Sequence, residues 1–342
     1  SEATDFGQGL ALEPTLDALA SSLLGHLETR LAARHLALWS RPSEGESLIL
    51  LRSLGPELPS EGPGSYPGFH LMAVNAYVAE YGIDDPERAL PALRELTTRF
   101  SAEFAIRPFL DRHTDLALEA LRAWARDPHP QVRRLASEGS RPRLPWGMRL
   151  RKFVKDPRPL LEILDLLKED PELFVRRSVA NNLNDIAKDH PDLVVNTLRR
   201  WGRSSRPETR WLVKHALRTL LKQGHPDALA LLGYAPSARV SVEKLTASPR
   251  RVPIGGSVEI RFRLASADSR PQAVMIDYIM HHMKANGATS PKVFKLATRR
   301  LRPGERVEIS KRHSFRPIGI RPYYPGRHEV EIQVNGRVRA RA

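Results

Sequence analysis

The first 235 residues carry the hydrophobic pattern of α-helices. Apolar side chains recur three and four positions apart through residues 16–39, and again in short segments after residue 70. This spacing places them on one face of a helix. Residues 53–68 (SLGPELPSEGPGSYPG) are rich in Gly, Pro and Ser and predict a connecting loop. The pattern therefore predicts a helical region interrupted by one long loop.

A repeated segment lies inside this helical region. DPHPQVRRLASE begins at Asp127, and DPELFVRRSVAN begins 43 residues later at Asp170. A looser copy, RPETRWLVKHAL, begins at Arg206, 36 residues further on. A period near 40 residues with paired helices is typical of HEAT-like repeats. The repeat predicts an α-helical HEAT-like solenoid.

The pattern changes to a period of two after residue 235. Segments such as SVEIRFRL, RVEISKRHSF and RHEVEIQV alternate between apolar and polar residues, as half-buried strands do. Gly-Gly at 255–256, Pro-Gly at 303–304 and Asn-Gly at 335–336 predict turns between strands. Six or seven short strands predict an all-β immunoglobulin-like sandwich. We therefore expect two domains, 1–235 and 236–342.

The positive charge is concentrated in the second of these domains. The chain carries a formal net charge of +15, with 54 Lys+Arg against 39 Asp+Glu. Residues 236–342 hold 22 of the basic and 8 of the acidic side chains, a surplus of 14, so the first 235 residues are nearly neutral. Such a surplus favours a polyanionic partner, with nucleic acid as the leading candidate.

Composition excludes several other classes of protein. The chain has 342 residues and no cysteine, which excludes disulfides and thiolate chemistry and fits a reducing cytoplasm. Its apolar runs are shorter than the roughly 20 residues of a membrane span. His281 and His282 have no third ligand nearby in the sequence, so no metal site is predicted. We expect a cytoplasmic protein without a cofactor.

Asp185 occupies an unexpected position on its helix. With about 100° per residue, Val175, Val179 and Ile186 fall on one apolar face, and Asp185 falls on a separate polar stripe with Lys188. Glu138 lies on the corresponding side of the helix in the first repeat copy, among Gln131, Arg134 and Arg141. Two interpretations remain open: ordinary solvated ion pairs, or acids placed within a phosphate-binding groove for another purpose.

Three segments resemble a known family. SAEFAIRPFL at 101–110, VRRLASEGSRPRLPW at 132–146 and VRRSVANNLNDIAKDHPD at 175–192 resemble the AlkC branch of the AlkD-like DNA alkylation-repair glycosylases. MIDYIMHHMKANG at 275–287 and YYPGRHEVEIQVNG at 323–336 resemble the immunoglobulin-like domain of some AlkC proteins. The third repeat departs from the pattern, with apolar Val213, Leu217 and Leu220 where the first two copies carry polar groups.

The resemblance implies an activity and a set of site residues. It implies a glycosylase that excises cationic N-methylated bases from double-stranded DNA, 3-methyladenine first, without a deep base-flipping pocket. No lysine stands out as a Schiff-base nucleophile, so we expect a monofunctional enzyme that hydrolyses the bond without cleaving the strand. We also expect a monomer. Glu103, Glu138 and Asp185 match the catalytic acids, and Arg141 and Trp146 match the neighbouring DNA contacts. On chemical grounds we assign Asp185 to stabilise the sugar cation, and Glu138 and Glu103 to share water activation.

Further basic residues are candidates for contacts with DNA phosphates: Arg134, Lys152, Arg177 and Lys188 in the helical region, and Arg300, Arg302, Lys311 and Arg312 in the β region. Alternatives stay open for several side chains. Glu103 could simply stabilise a helix N-terminus, Trp146 could cover a repeat edge, and the basic residues could form a solvated surface. The alternative function is a non-catalytic repeat scaffold that binds DNA or a protein partner.

Overall fold

The structure is a computed structural model that describes residues 71–204, 206–235, 237–317 and 322–342. The helix expected at 16–39 and the loop expected at 53–68 lie outside the described residues. The described helices are α1 (Leu71–Tyr81), α2 (Pro86–Thr97), α3 (Ile106–Arg112), α4 (Thr114–Trp124), α5 (Pro130–Glu138), α6 (Arg151–Lys155), α7 (Arg158–Leu167), α8 (Leu173–Ile186), α9 (Pro191–Trp201), α10 (Pro207–Ala216), α11 (Arg218–Lys222) and α12 (Pro226–Leu231).

The repeated Asp-Pro step lies just before a helix and joins one repeat to the next. Asp127 Oδ1 accepts a hydrogen bond from the backbone N–H of His129 at 2.8 Å, and Asp170 Oδ1 accepts one from Glu172 at 2.9 Å. The other oxygen, Oδ2, binds an arginine of the preceding repeat. Arg94 Nε lies 2.8 Å from Asp127 Oδ2, and Arg133 Nε lies 2.6 Å from Asp170 Oδ2.

The arginines of the repeat also bind the start of their own segment. Arg133 Nη1 donates to the carbonyl oxygens of Asp127 and Pro128 at 2.9 and 3.0 Å. Arg176 Nη1 makes the equivalent bonds to the carbonyls of Asp170 and Pro171. The sequence repeat is therefore a structural repeat, with the same side chain making the same backbone bonds.

Helix α8 lies at the centre of the repeats, because it packs against α5 on one side and α10 on another. Val175, Val179, Leu183 and Ile186 are at most 1% exposed, so the apolar face predicted from the sequence is confirmed. Part of the polar stripe is buried as well, since Ser178 and Asp185 are both 2% exposed, whereas Lys188 on the same stripe is exposed. A helix covered on both sides has to satisfy its polar groups internally.

Seven described strands form two antiparallel sheets: β1 (Val240–Ser248), β2 (Ser257–Ser266), β3 (Gln272–Met283), β4 (Thr289–Leu301), β5 (Arg306–Ser314), β6 (Glu329–Val334) and β7 (Arg337–Arg341). One sheet has the order β1-β2-β5 and the other β4-β3-β6-β7. Alternate residues such as Ile260, Phe262, Ile276 and Ile332 form the buried core of this sandwich. Asn335 and Gly336 have φ values of 46° and 74° and form the predicted tight turn between β6 and β7.

Contacts divide the chain into two compact units. The first contains residues up to Val194 and Arg203–Ala216, and the second contains Val195–Gly202 and Leu217–Ala342. Within the second unit, Gln333 Nε2 donates to the carbonyl of Lys222 at 2.8 Å, and Asn335 Nδ2 donates to that of Ala235 at 2.8 Å. The predicted fold class, an α-helical HEAT-like repeat solenoid followed by an all-β immunoglobulin-like sandwich, is confirmed. The boundary at 235/236 stays a prediction.

The described residues contain neither a candidate membrane span nor a candidate metal cluster. No described helix has the length and apolar character needed to cross a membrane. Likewise, the described His, Asp and Glu side chains do not form a group of three or more that could hold a metal ion.

Candidate active site

The three candidate acids come from three different elements of the first unit. Glu103 lies in the turn before α3, Glu138 is the last residue of α5, and Asp185 lies in the last turn of α8. Helices α5 and α8 are the second helices of successive repeats, so their ends lie side by side. The sequence repeat thus places Glu138 and Asp185 at the same end of neighbouring helices.

Arg141 joins two of the acids directly. Its Nε and Nη2 both lie 2.8 Å from Asp185 Oδ2, and its Nη1 donates to Glu138 Oε1 at 2.7 Å. Arg141, Glu138 and Asp185 are only 7%, 6% and 2% exposed. The interpretation of these pairs as ordinary solvated ion pairs is therefore wrong. It failed because helical phase alone does not show which neighbours cover a face.

Arg134 links the third acid to this group. Its Nη1 lies 2.8 Å from Glu103 Oε2, and its Nη2 lies 3.8 Å from Glu138 Oε1. Ser101 Oγ donates a further hydrogen bond to Glu103 Oε2 at 3.0 Å. The structure therefore brings Glu103, Glu138 and Asp185 into one continuous charged network, which we call the acid cluster.

Neutral side chains of α8 complete the surroundings of Glu138. Ser178 Oγ donates to Glu138 Oε2 at 2.6 Å, and Asn182 Nδ2 donates to the carbonyl of Ser137 at 2.8 Å. Burial raises the pKa of Glu138, but Arg134, Arg141 and the Ser178 hydrogen bond together hold this pKa below its ordinary value. Glu138 is therefore ionised at neutral pH.

Lys188 covers the remaining oxygen of Asp185. Its Nζ lies 2.9 Å from Asp185 Oδ1, and the lysine side chain is 43% exposed while the aspartate side chain is 3% exposed. Solvent therefore reaches the ammonium group of this pair but not its carboxylate. Within the described network, Lys188 is the partner of Asp185 that an outside anion can reach most directly.

A buried arginine, which the sequence analysis did not single out, supports the cluster. Arg107 is fully buried in α3, and its Nη1 donates to the carbonyl of Gly139 at 2.8 Å, while its Nε donates to that of Met148 at 2.6 Å. These two carbonyls flank the segment 140–147, which contains Arg141 and Trp146. Arg107 therefore holds both ends of the loop that joins α5 to α6.

Electrostatics also couple Arg107 to the acids. Burial and the charge of Arg141 lower the pKa of Arg107 to about 10, while Asp185, Glu103 and Glu138 oppose this shift. Arg107 therefore remains a cation at neutral pH. In the sequence it stands in the apolar run AIRPFL, where an arginine usually extends its charge to the surface, so the pattern offered no signal that it is buried.

Trp146 is held outward by the same loop. It is 95% exposed, and its backbone φ of 60° lies in the left-handed region that non-glycine residues rarely adopt. The alternative in which Trp146 covers a repeat edge is therefore wrong. A large apolar side chain presented to solvent in a strained backbone is a candidate contact for a partner.

The other predicted basic residues occupy varied positions. Arg177 is exposed on α8, and Lys152 donates to the carbonyl of Asp111 at 2.6 Å and to Thr114 Oγ1 at 2.9 Å. Those of the sandwich are all exposed, with Arg300 on β4, Arg302 in the turn after it, and Lys311 and Arg312 on β5. Arg312 Nε donates to Ser257 Oγ at 2.7 Å. Their contacts with DNA stay predictions.

Comparison with known proteins identifies the family. Residues 96–220 match the family model "DNA alkylation repair enzyme", and residues 241–342 match the C-terminal immunoglobulin-like domain of the uncharacterised protein YhaZ. The YhaZ protein of Bacillus subtilis is 40% identical over 294 residues, covering 86% of this chain and 79% of YhaZ.

A solved structure agrees with this assignment. The Pseudomonas fluorescens alkylpurine DNA glycosylase AlkC, bound to DNA containing an abasic site analog, is 40% identical with a TM-score of 0.78. The match covers 87% of this chain and 80% of that one. The chain therefore belongs to the AlkC branch of the DNA alkylation repair enzyme family, with a C-terminal immunoglobulin-like domain.

Proposed function

We propose that the protein is a monofunctional DNA glycosylase, acting as a monomer, that hydrolyses the N-glycosidic bond of cationic N-methylated bases in double-stranded DNA. The first substrate is 3-methyladenine, and 3-methylcytosine is a second. The observation that carries this proposal is the acid cluster, because three carboxylates and Arg141 occupy one buried or half-buried network in the repeat region. The similarity to a glycosylase solved with abasic DNA supports it.

The residue types fit the chemistry of such a substrate. An N3-methylated adenine already carries a positive charge, so it leaves as a neutral base and needs no general acid. The sugar instead develops positive charge, which a carboxylate stabilises. A charge pair about 4 Å apart is worth about 4 kcal/mol at an effective dielectric near 20.

Asp185 is the acid that we assign to the sugar cation. Its Oδ2 is fixed by Arg141, and its Oδ1 is covered by Lys188. Because Lys188 is partly exposed, a DNA phosphate competes for its ammonium group and frees Oδ1 when DNA binds. Lys188 thereby exchanges an acid for a phosphate, and Asp185 faces the anomeric carbon of the damaged nucleotide.

Glu138 and Glu103 take two different roles in the proposed reaction. Both oxygens of Glu138 are engaged, one by Arg141 and one by Ser178, and its lowered pKa makes it a weak base. Glu103 is bonded only through Oε2 in the described residues, and its side chain is 18% exposed. We therefore assign water positioning to Glu103 and the orientation of Arg141 to Glu138.

A base-release assay tests the function directly. Duplex DNA treated with a methylating agent is incubated with the protein, and the released bases are separated chromatographically. The proposal expects 3-methyladenine in the soluble fraction and an intact, abasic strand. A scaffold protein would retard the duplex on a gel and release no base, and that outcome would overturn the proposal.

We also propose that the basic edges of the sandwich add phosphate contacts. Each phosphate contact that is lost lowers the slope of log K against log salt by about 0.9. Combined Ala substitutions at Arg300, Arg302, Lys311 and Arg312 are expected to reduce this slope by at least about 1.8, corresponding to two contacts. The control is Arg261→Ala, because Arg261 is exposed and paired with Glu259 at 2.7 Å. An unchanged slope in the combined variant would exclude this role.

A further inference from the structure

The loop between α5 and α6 forms an open pocket next to Trp146. The pocket has a volume of about 360 Å³ and is lined by Arg143, Leu144, Gly147, Arg149 and Arg151. It lies outside the acid cluster, and three of its five lining residues are arginines that the sequence analysis did not select. The lining of the pocket is therefore mainly cationic.

The walls of the pocket are fixed by the fold. Leu144 and Leu150 are 5% and 1% exposed, and the backbone N–H of Leu150 donates to the carbonyl of Pro142 at 3.2 Å, which closes the loop. A side chain at Gly147 would place its Cβ 3.2 Å from Arg107 Nε, so Arg107 packs directly beneath this part of the pocket. The shape is therefore built into the protein and does not depend on a ligand.

The charge of the pocket selects an anion. Arg143 is held by Asp189, with Nε and Nη2 at 2.8 and 2.7 Å from the two carboxylate oxygens. Arg149 and Arg151 are both exposed, and neither forms an ion pair within the part of the chain that the structure describes. The lining thus offers three guanidinium groups, two of them uncompensated, and guanidinium groups bind phosphate oxygens in a bidentate manner.

The residues that line the pocket favour a phosphate over a nucleobase as its ligand. Extruded bases are bound by stacking on aromatic side chains, and none of the five lining residues is aromatic. A polar pocket of about 360 Å³ instead has room for a phosphodiester group with ordered water. The ligand that fits is a backbone phosphate.

We propose that this pocket binds a phosphate of the damaged DNA strand beside the nucleotide that Trp146 contacts. Gly147 lines the pocket and directly follows Trp146 in the chain, so the phosphate and the tryptophan contact are placed by one rigid loop. The inference rests on the proposed function, and it extends it by assigning Arg149 and Arg151 to one particular phosphate. The loop would then fix the register of the DNA relative to the acid cluster.

A phosphate-neutralisation experiment tests this assignment. Duplexes that carry an abasic-site analog are made with a single neutral methylphosphonate at each phosphate in turn on both strands. Their affinities are measured for the wild-type protein, for Arg149→Ala/Arg151→Ala, and for the control Arg126→Ala. Arg126 is an exposed arginine just after α4, and its substitution removes one positive charge, half of what the double variant loses.

The proposal expects one or two positions on the abasic strand, next to the analog, where methylphosphonate weakens wild-type binding about tenfold, equivalent to about 1.4 kcal/mol. At these positions methylphosphonate does not weaken the binding of the double variant further. At all other positions methylphosphonate changes the affinity of the double variant by the same factor as that of the wild type. Arg126→Ala keeps the wild-type profile everywhere.

The assignment would be overturned if the losses of affinity from methylphosphonate and from the double substitution add at every position. It would also be overturned if the two losses overlap only at positions on the undamaged strand. Thermal melting of the double variant confirms that it is folded, and Arg149→Lys/Arg151→Lys is expected to regain part of the coupling. Because this experiment measures binding to abasic DNA, its result is independent of base release. If the protein shows this coupling but releases no base, the proposed function is disproved and the assignment of the pocket to a phosphate still holds.

Discussion

Asp185→Asn is expected to lower the single-turnover rate of 3-methyladenine release by about 10³-fold. The value follows from an electrostatic contribution of about 4 kcal/mol to a sugar cation about 4 Å away, at about 1.4 kcal/mol for each factor of ten. Asn preserves the size and one acceptor oxygen of the side chain, removes the negative charge, and replaces the second oxygen with an NH2 donor. The measurement is the release of labelled base with enzyme in excess over DNA.

The control for this substitution is Asp165→Asn. Asp165 lies on α7, and its side chain is 53% exposed and paired with Lys168 at 3.0 Å. It carries the same charge change outside the acid cluster and is expected to leave the rate at the wild-type value. Glu103→Gln, measured in the same series, reports on water positioning. A wild-type rate from Asp185→Asn would remove the main catalytic assignment.

Arg141→Met is expected to destabilise the protein by about 3–5 kcal/mol. The substitution leaves Glu138 and Asp185 buried without their shared cation, and a buried charge that loses its partner is costly because it cannot regain its hydration. For a unit of this size, each kcal/mol lowers the melting temperature by about 2–4 °C. Differential scanning calorimetry at pH 7 measures the loss.

The loss of stability in Arg141→Met should depend on pH, and the direction of this dependence identifies its cause. In the wild type the pKa of Glu138 is lowered on folding, so its contribution to stability is present above the pKa of the unfolded chain and is lost as the pH falls through the folded pKa. In the variant the part of this contribution that Arg141 supplies is lost, while Arg134 and Ser178 remain. The difference between the two proteins is therefore largest at neutral pH and shrinks in acid.

Arg122→Met provides the matched comparison for this effect. Arg122 pairs with Glu162 at 3.2 Å, but their side chains are 40% and 69% exposed, so the loss should not exceed about 1 kcal/mol. Equal losses from Arg122→Met and Arg141→Met would show that the buried network contributes no more than a surface pair.

The fold was largely predictable because it follows from periodicity. The 43-residue repeat identified two helix starts, and the structure shows why: Asp127 and Asp170 each accept a backbone hydrogen bond just before a helix and bind an arginine of the preceding repeat. The period of two after residue 235 identified the strands, since alternating burial on a sandwich has that period. Both signals are local in the chain.

The architecture of the site depends on contacts that are not local. The helical phase placed Asp185 on a polar stripe but did not show that its own carboxylate is buried there. Arg107 gave no sequence signal, because its role comes from two carbonyls 32 and 41 residues away. The outward position of Trp146 depends on a single left-handed backbone angle, and such angles lie outside hydrophobic periodicity.

The central claim is that the acid cluster stabilises positive charge on the sugar. It is tested most directly by comparing duplexes that carry a cationic pyrrolidine or a neutral tetrahydrofuran in place of the damaged nucleotide. The wild-type protein is expected to bind the cationic duplex at least about tenfold more tightly, equivalent to about 1.4 kcal/mol, and Asp185→Asn should lose this preference. Equal wild-type affinities for the two duplexes would contradict the account.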